Sequence, residues 1–261
     1  MNEASPINGN ADPSSHRAPA VARAAMILRM LASERTGLGV TEIARRVGIV
    51  PSTCLHVLRA LVDEGFITFD KRKKTYRTGV GLLTLVRDVL GSNEFPRAVQ
   101  PILDDLATKH QMTAVATEID SKGSMVVVAI ARCDSLVSLH IGVGNRFPPL
   151  LSAIGRCVAA ASGLDRAALR KRFDALRSET TSGFDEWYSE VERARSEGVA
   201  IDRNTYIRGI TIISSVIRPG IDRKMRGISL IGFEHAMTER IVGQLREDLL
   251  SATHIIRARL S

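Results

Sequence analysis

The residues of this chain best placed to do chemistry are four polar side chains at 52, 53, 56 and 59 and an unbroken cationic run at 71–74. Ser52, Thr53, His56 and Arg59 recur at close to helical spacing, so one helix face would offer hydroxyl, imidazole and guanidinium groups, which hydrogen-bond base edges and phosphates. Lys71, Arg72, Lys73 and Lys74, with Arg77 just beyond and Arg45 and Arg46 upstream, suit a different task. Clustered cations neutralise a polyanionic backbone, which adds salt-dependent affinity without sequence preference.

The elements that must position these side chains are legible from apolar spacing. Ile43, Ala44 and Val47 recur at helical intervals, and Cys54, Val57, Leu58 and Leu61 repeat the same pattern. Gly48 ends the first segment where a left-handed residue costs least, and Pro51 opens the second where a missing N–H is harmless. Two helices joined so tightly cross steeply, which predicts a helix-turn-helix whose second helix enters the major groove. The β-prone runs 66–69 and 75–78 then form a hairpin with the basic run at its tip, giving residues 41–77 the order of a winged helix-turn-helix. A preceding helix over 21–31, with Val21, Ala24, Leu28 and Leu31 on its inner face, completes a three-helix core. Beyond the wing, Leu82, Leu83, Leu85, Val86, Val89 and Leu90 make a short helix too apolar to stand in water alone. It should pack on a neighbour in this chain or in a partner.

The charge distribution agrees with a DNA-binding first part. Residues 17–90 carry 13 Lys and Arg against 6 Asp and Glu, a net +7 of the whole chain's +8, whereas residues 91–261 hold 23 basic and 20 acidic side chains. The second part therefore has no polyanion footprint of its own. At 261 residues and 44% hydrophobic content, the chain can build one small and one medium domain. The expected division is a disordered tail over 1–19, the winged domain over 20–79, a linker helix over 80–92 and a second domain over 93–261. The tail lacks the apolar core of a signal peptide, and no stretch reaches the length of a membrane span. Cys54, Cys133 and Cys157 show no CxxC spacing and no even pairing, as expected of structural thiols in a reducing, cytoplasmic setting.

The second part reads as α+β. Helices are expected over 95–110, 152–161, 164–173, 184–197 and 237–259, and strands over 114–119, 125–131, 136–141, 210–216 and 228–233, without strict βαβ alternation. Enzyme signatures do not assemble. Residues 142–147 begin like a dinucleotide loop but place Phe147 where the third glycine belongs, followed by Pro148 and Pro149. Residues 227–232 are one residue too long for a nucleophile elbow. His110, His140, His235 and His254 form no metal-ligand pair, so no catalytic residue, metal site or cofactor is expected. Two other classes stay open: an enzyme with an appended DNA-binding domain, and a ligand-independent architectural DNA-binding protein.

The run AVARAAMILRMLA, then TEIARRVGIVPSTCLHVLRALVDEGFI, YRTGVGLLTLV and GVGNRFPPLLSAIGRCVAA, resembles the IclR family of bacterial transcriptional regulators over essentially the whole chain after the tail. That resemblance implies a winged helix-turn-helix, a linker helix and a GAF-like α/β domain with an antiparallel sheet that binds a small effector. It further implies a roughly palindromic double-stranded operator, a homodimer or tetramer, and contact with RNA polymerase where the protein activates. In the family, the segment matching 147–156 packs over the sheet and the strand matching 209–215 forms the opposite wall. The effector contacts this implies are Leu150, Ser152, Ala153, Thr211, Ile213, Ser214 and Ser215, around a carboxylate held at a helix start. The effector itself would be a small organic acid, such as an aromatic catabolic intermediate.

Overall fold

The computed structural model describes residues 18–34, 36–120, 124–133, 141–147, 150–176, 183–217 and 224–260, with the side chains of 88–92 left aside. The chain divides into two compact units, the first ending at Ser92 and the second beginning at Asn93.

In the first unit, α1 (Pro19–Ser33), α2 (Val40–Val47) and α3 (Pro51–Asp63) enclose a core of Ile27, Leu31, Ile43, Ala44, Val47, Cys54, Leu58 and Leu61. Gly48 ends α2 in the left-handed conformation, at φ 74°, and Pro51 opens α3. Of the expected inner face of α1, Leu31 is buried and Ala24 and Leu28 pack on the same core, whereas Val21 is 68% exposed and Ile27 supplies a further buried contact. Strands β1 (Ile67–Asp70) and β2 (Thr75–Thr78) pair antiparallel, and Leu38 bridges to Tyr76 as a further edge contact. The chain leaves β2 through Gly79 and Gly81, both pressed on the Gly65 carbonyl. A Cβ on either would lie 2.5–2.6 Å from that oxygen, so only glycine fits there. Helix α4 (Gly81–Ser92) follows, with Leu83, Leu85 and Val86 47–67% exposed.

The second unit is built on a six-stranded antiparallel sheet. Its strands are β3 (Thr113–Ile119), β4 (Met125–Ala131), β5 (Arg146–Phe147), β6 (Val199–Arg203), β7 (Ile210–Ile217) and β8 (Arg226–Phe233), in the order β5-β4-β3-β8-β7-β6. One face carries α5 (Glu94–His110) and the closing α9 (Glu239–Arg259), around Phe95, Leu103, Ile213, Leu230, Leu245 and Leu249. The other face carries α6 (Ser152–Ala161), around Val115, Val127, Ala153, Ile154, Ile212 and Ile231. Outside α6, α7 (Arg166–Asp174) and α8 (Phe184–Glu197) gather a cluster of Leu150, Leu169, Phe184 and Trp187. Strand β6 is an element beyond those expected, since VAIDR follows α8 after a single glycine and is too short and too polar at its end to show a strand pattern. The expected strand over 136–141 lies outside the described residues except for Ile141, which is not in a strand.

Candidate functional site

On α3 the buried stripe of Cys54, Leu58 and Leu61 turns Ser52, His56 and Arg59 outward at i, i+4 and i+7, while Thr53 is half-buried at the margin. The outer face thus keeps the hydrogen-bonding set that the sequence pattern places there. At the wing, the Asp70 carboxylate accepts the backbone N–H groups of Arg72 at 2.9 Å and Lys73 at 3.0 Å, forming the turn of the hairpin. The same bonds, that from Lys73 first, hold the Asp70 carboxyl below its ordinary range. Lys74 closes the tip at φ 52°, and Lys71, Arg72, Lys73, Lys74 and Arg77 are all exposed. A fixed backbone turn therefore presents a fan of cations.

Arg45 and Arg46 are also exposed but already engaged. Arg45 donates to Glu42 through Nε at 3.0 Å and Nη2 at 2.7 Å, and Arg46 reaches Glu42 at 2.5 Å and Glu34 at 2.6 Å. Hydrogen bonds from Arg45 and then Arg46 hold the Glu42 carboxyl down to about 2. No residue type in the sequence singled out Glu42. Its spacing of three and four from the two arginines was the available signal.

In the second unit, the residues implied as effector contacts do not all meet. Strand register decides this, since cross-strand partners share a face. Ser214 pairs with Ser229 and Ile212 with Ile231, on the α6 face, where Ser152 and Ala153 open α6. Thr211 pairs with Gly232, Ile213 with Leu230 and Ser215 with Ile228, on the α5–α9 face. The Thr211 hydroxyl bonds the Glu234 carboxylate, and the Ser215 hydroxyl donates to the Gly198 carbonyl at 2.8 Å. Leu150 packs into the aromatic cluster, and its carbonyl accepts the Trp187 indole N–H at 2.9 Å. Ser152, Ala153 and Ser214 are the ones on the α6 side of the sheet. A strand's alternation was legible in the sequence; which parity faces α6 was not.

Three further features of that α6 face were not singled out. The Ser214 and Ser229 hydroxyls hydrogen-bond each other at 2.7 Å in full burial. Thr117, on the neighbouring strand, is 3% exposed and donates to the Gly227 carbonyl. Arg156, on α6, reaches Glu190 at 2.8 Å and Asp202 at 3.1 Å, and Asp202 accepts the backbone N–H groups of Thr205 and Tyr206. Burial pushes the Glu190 carboxyl up, against the opposing pull of Arg156. The buried guanidinium thus ties the helix to the β6–β7 turn, whose Tyr206 packs against the same apolar cluster. The start of α6 has no side-chain cap, and both Leu150 (φ 68°) and Ser152 (φ 60°) hold left-handed backbone there. Uncapped first-turn N–H groups suit an anionic oxygen. Cys54 and Cys157 are buried thiols, and burial pushes Cys157 up to about 12, so neither is a nucleophile. Among the described residues no His, Cys, Asp and Glu group could hold a metal, and no helix is long and apolar enough to cross a membrane.

Comparison with known proteins places both units. A family model described as the IclR helix-turn-helix domain matches residues 20–71, and one described as the bacterial transcriptional regulator IclR C-terminal domain matches residues 87–258. The HTH-type transcriptional regulator Rv1719 of Mycobacterium tuberculosis is 30% identical over 80% of this chain and 80% of its own length. A crystal structure of a transcriptional regulator from Alicyclobacillus acidocaldarius superposes with a TM-score of 0.81 at 23% identity, covering 93% of this chain and 99% of the other. A homologue from Microbacterium hydrocarbonoxydans, solved in complex with 4-hydroxybenzoate, superposes with a TM-score of 0.73 at 18% identity, covering 92% and 99%.

Proposed function

The chain belongs to the IclR family of bacterial transcriptional regulators, a DNA-binding helix-turn-helix followed by an effector-binding domain, and on that premise we propose that it binds a roughly palindromic operator as a homo-oligomer and responds to a small organic acid. The observation that carries the DNA half is the outward set of Ser52, His56 and Arg59 on α3 beside the exposed cations of the wing. Base contacts belong to the first and phosphate contacts to the second. Two-fold related subunits would place two such helices on half-sites about one helical turn apart, roughly 34–36 Å. Such a protein acts in the cytoplasm, on chromosomal DNA, and meets RNA polymerase only where its operator makes it an activator.

The effector lies on the α6 face, its carboxylate at the uncapped helix start and its body against Val115, Val127, Ile212 and Ile231. An aromatic acid is the favoured class, because the pocket wall is apolar with few hydroxyls and the Microbacterium homologue was crystallised with 4-hydroxybenzoate. Thr211, Ile213 and Ser215, on the other face, support the strand and do not touch the ligand in this reading.

The test is selection of genomic fragments on the purified protein, footprinting of the winners, and titration of the footprint with 4-hydroxybenzoate and other small organic acids. Two symmetric protected half-sites whose affinity shifts with one acid are the expected result. Binding no tighter than to random DNA would refute the operator. A clear operator indifferent to every acid would leave the architectural class in its place.

A further inference from the structure

We propose that Phe69, on the first strand of the wing, is a further DNA-contacting residue, whose ring packs on deoxyribose between the base contacts of α3 and the phosphate contacts of the wing tip. The inference rests on the DNA-binding reading above and adds to it a contact that is neither ionic nor sequence-reading.

In the hairpin Ile67 pairs with Thr78 and Phe69 with Tyr76, so Ile67, Phe69 and Tyr76 share one face. Ile67 and Tyr76 are buried in the same core as Cys54, Leu58 and Leu61 of α3, which makes this the face turned toward that helix. Phe69 lies one step nearer the tip, where the core ends, and it is 41% exposed. Its ring rests on the Tyr76 ring, with centroids 4.7 Å apart and planes tilted by 36°. Tyr76 is itself anchored, donating its backbone N–H to the Leu38 carbonyl at 2.8 Å and accepting the Leu38 N–H at 3.1 Å. Arg59 of α3 is close by, since burial pushes the Tyr76 phenol up and the Arg59 guanidinium opposes that shift. On the other side, Lys71 follows two residues later, and the hairpin carries Lys71, Arg72, Lys73, Lys74 and Arg77 against Asp70 alone.

A cationic surround of that kind selects a polyanion as the occupant of this face. The ring has no charge and no hydrogen-bonding group to offer a phosphate or a polar base edge. What it can cover is the C–H face of a sugar, which lies between base and phosphate on each strand as Phe69 lies between Arg59 and Lys71. The thymine methyl is the apolar group that a major-groove base edge presents, but it marks one base in four, whereas every nucleotide carries a sugar. Covering the exposed part of the ring releases no counterion, so its contribution does not depend on salt as the cations' does.

The test is binding of the full-length protein to a mixed-sequence DNA duplex over a range of salt concentrations, with Phe69→Ser and Phe69→Leu beside wild type. Phe69→Ser should bind about five- to thirtyfold more weakly with an unchanged slope of affinity against salt, and Phe69→Leu should recover most of the loss. A copy of the duplex with uracil for every thymine lacks only the 5-methyl groups, and the Phe69→Ser loss should be the same on it. A slope that flattens in Phe69→Ser would mean that the ring only orders the cationic tip, and a loss that vanishes on the uracil duplex would mean that it reads thymine. Either result overturns the sugar contact. So does a Phe69→Ser protein that binds like wild type while wild type keeps a steep salt dependence, an outcome that leaves the DNA-binding reading standing. Wild type that binds neither duplex refutes that reading and this proposal with it.

Discussion

Glu42 stands between two arginines that DNA would also claim. With its carboxyl held at about 2, it remains ionised wherever the protein is folded and bound to DNA, so Arg45 and Arg46 meet a phosphate only in competition with it. Glu42→Gln should therefore strengthen binding to all sequences, by roughly two- to tenfold at low salt, and steepen the salt dependence. Weaker binding in a filter assay would mean that Glu42 positions the arginines and does not compete for them. His56 and Arg59 act on another axis, because they sit on the outward face of α3, the face proposed to meet base edges. His56→Ala or Arg59→Ala should cost about 1–3 kcal/mol at particular operator positions and little at others. Equal losses on operator and random DNA would assign both residues to the phosphates.

The wing works as an element, since the Asp70 turn orders its backbone while the cations at 71–74 and Arg77 stay exposed. Replacing Lys71, Arg72, Lys73 and Lys74 with Ala should weaken binding to every sequence alike and flatten the slope of affinity against salt. A loss confined to the operator, with the slope unchanged, would contradict the phosphate assignment. In the second unit, Arg156 binds α6 to the β6–β7 turn, with 5% of its surface exposed and Asp202 only 1%. Arg156→Met leaves a buried carboxylate unpaired and should cost about 3–5 kcal/mol in urea unfolding, and Asp202→Asn in that background should recover part of it. No recovery would mean that the pair contributes little. These two elements also mark what could be read from sequence. The helix-turn-helix and wing were legible because local spacing fixes which side chains are buried in a short helix and which crown a hairpin. The candidate effector face was not, because its composition depends on strand parity and on partners distant in the chain. Ser214 meets Ser229 across a register that no local pattern encodes, and Arg156, on an otherwise apolar helix, gave no hint of Asp202.

At the scale of the whole molecule, regulation requires ligand and operator to change each other's affinity by one common factor, typically about 5- to 150-fold. The chain passes from the first unit to the second through α4, and in the single subunit its Leu83, Leu85 and Val86 are 67%, 50% and 47% exposed. An apolar stripe of that kind on a short helix suits a contact surface, and in the proposed homo-oligomer its occupant would be a second copy of the chain. If effector binding favours one packing of paired α4 helices and operator binding another, this stripe is the two-state element that both sites bias. Leu83→Ser and Val86→Ser should then lower the coupling factor several-fold and leave effector affinity in the absence of DNA nearly unchanged, because neither residue lies in the ligand-binding unit. Operator titrations with and without the effector, on wild type and on variants shown to be folded and of native oligomeric state, measure that factor directly. Variants that retain full coupling would make α4 a passive tether and move the signal to contacts between effector-binding units.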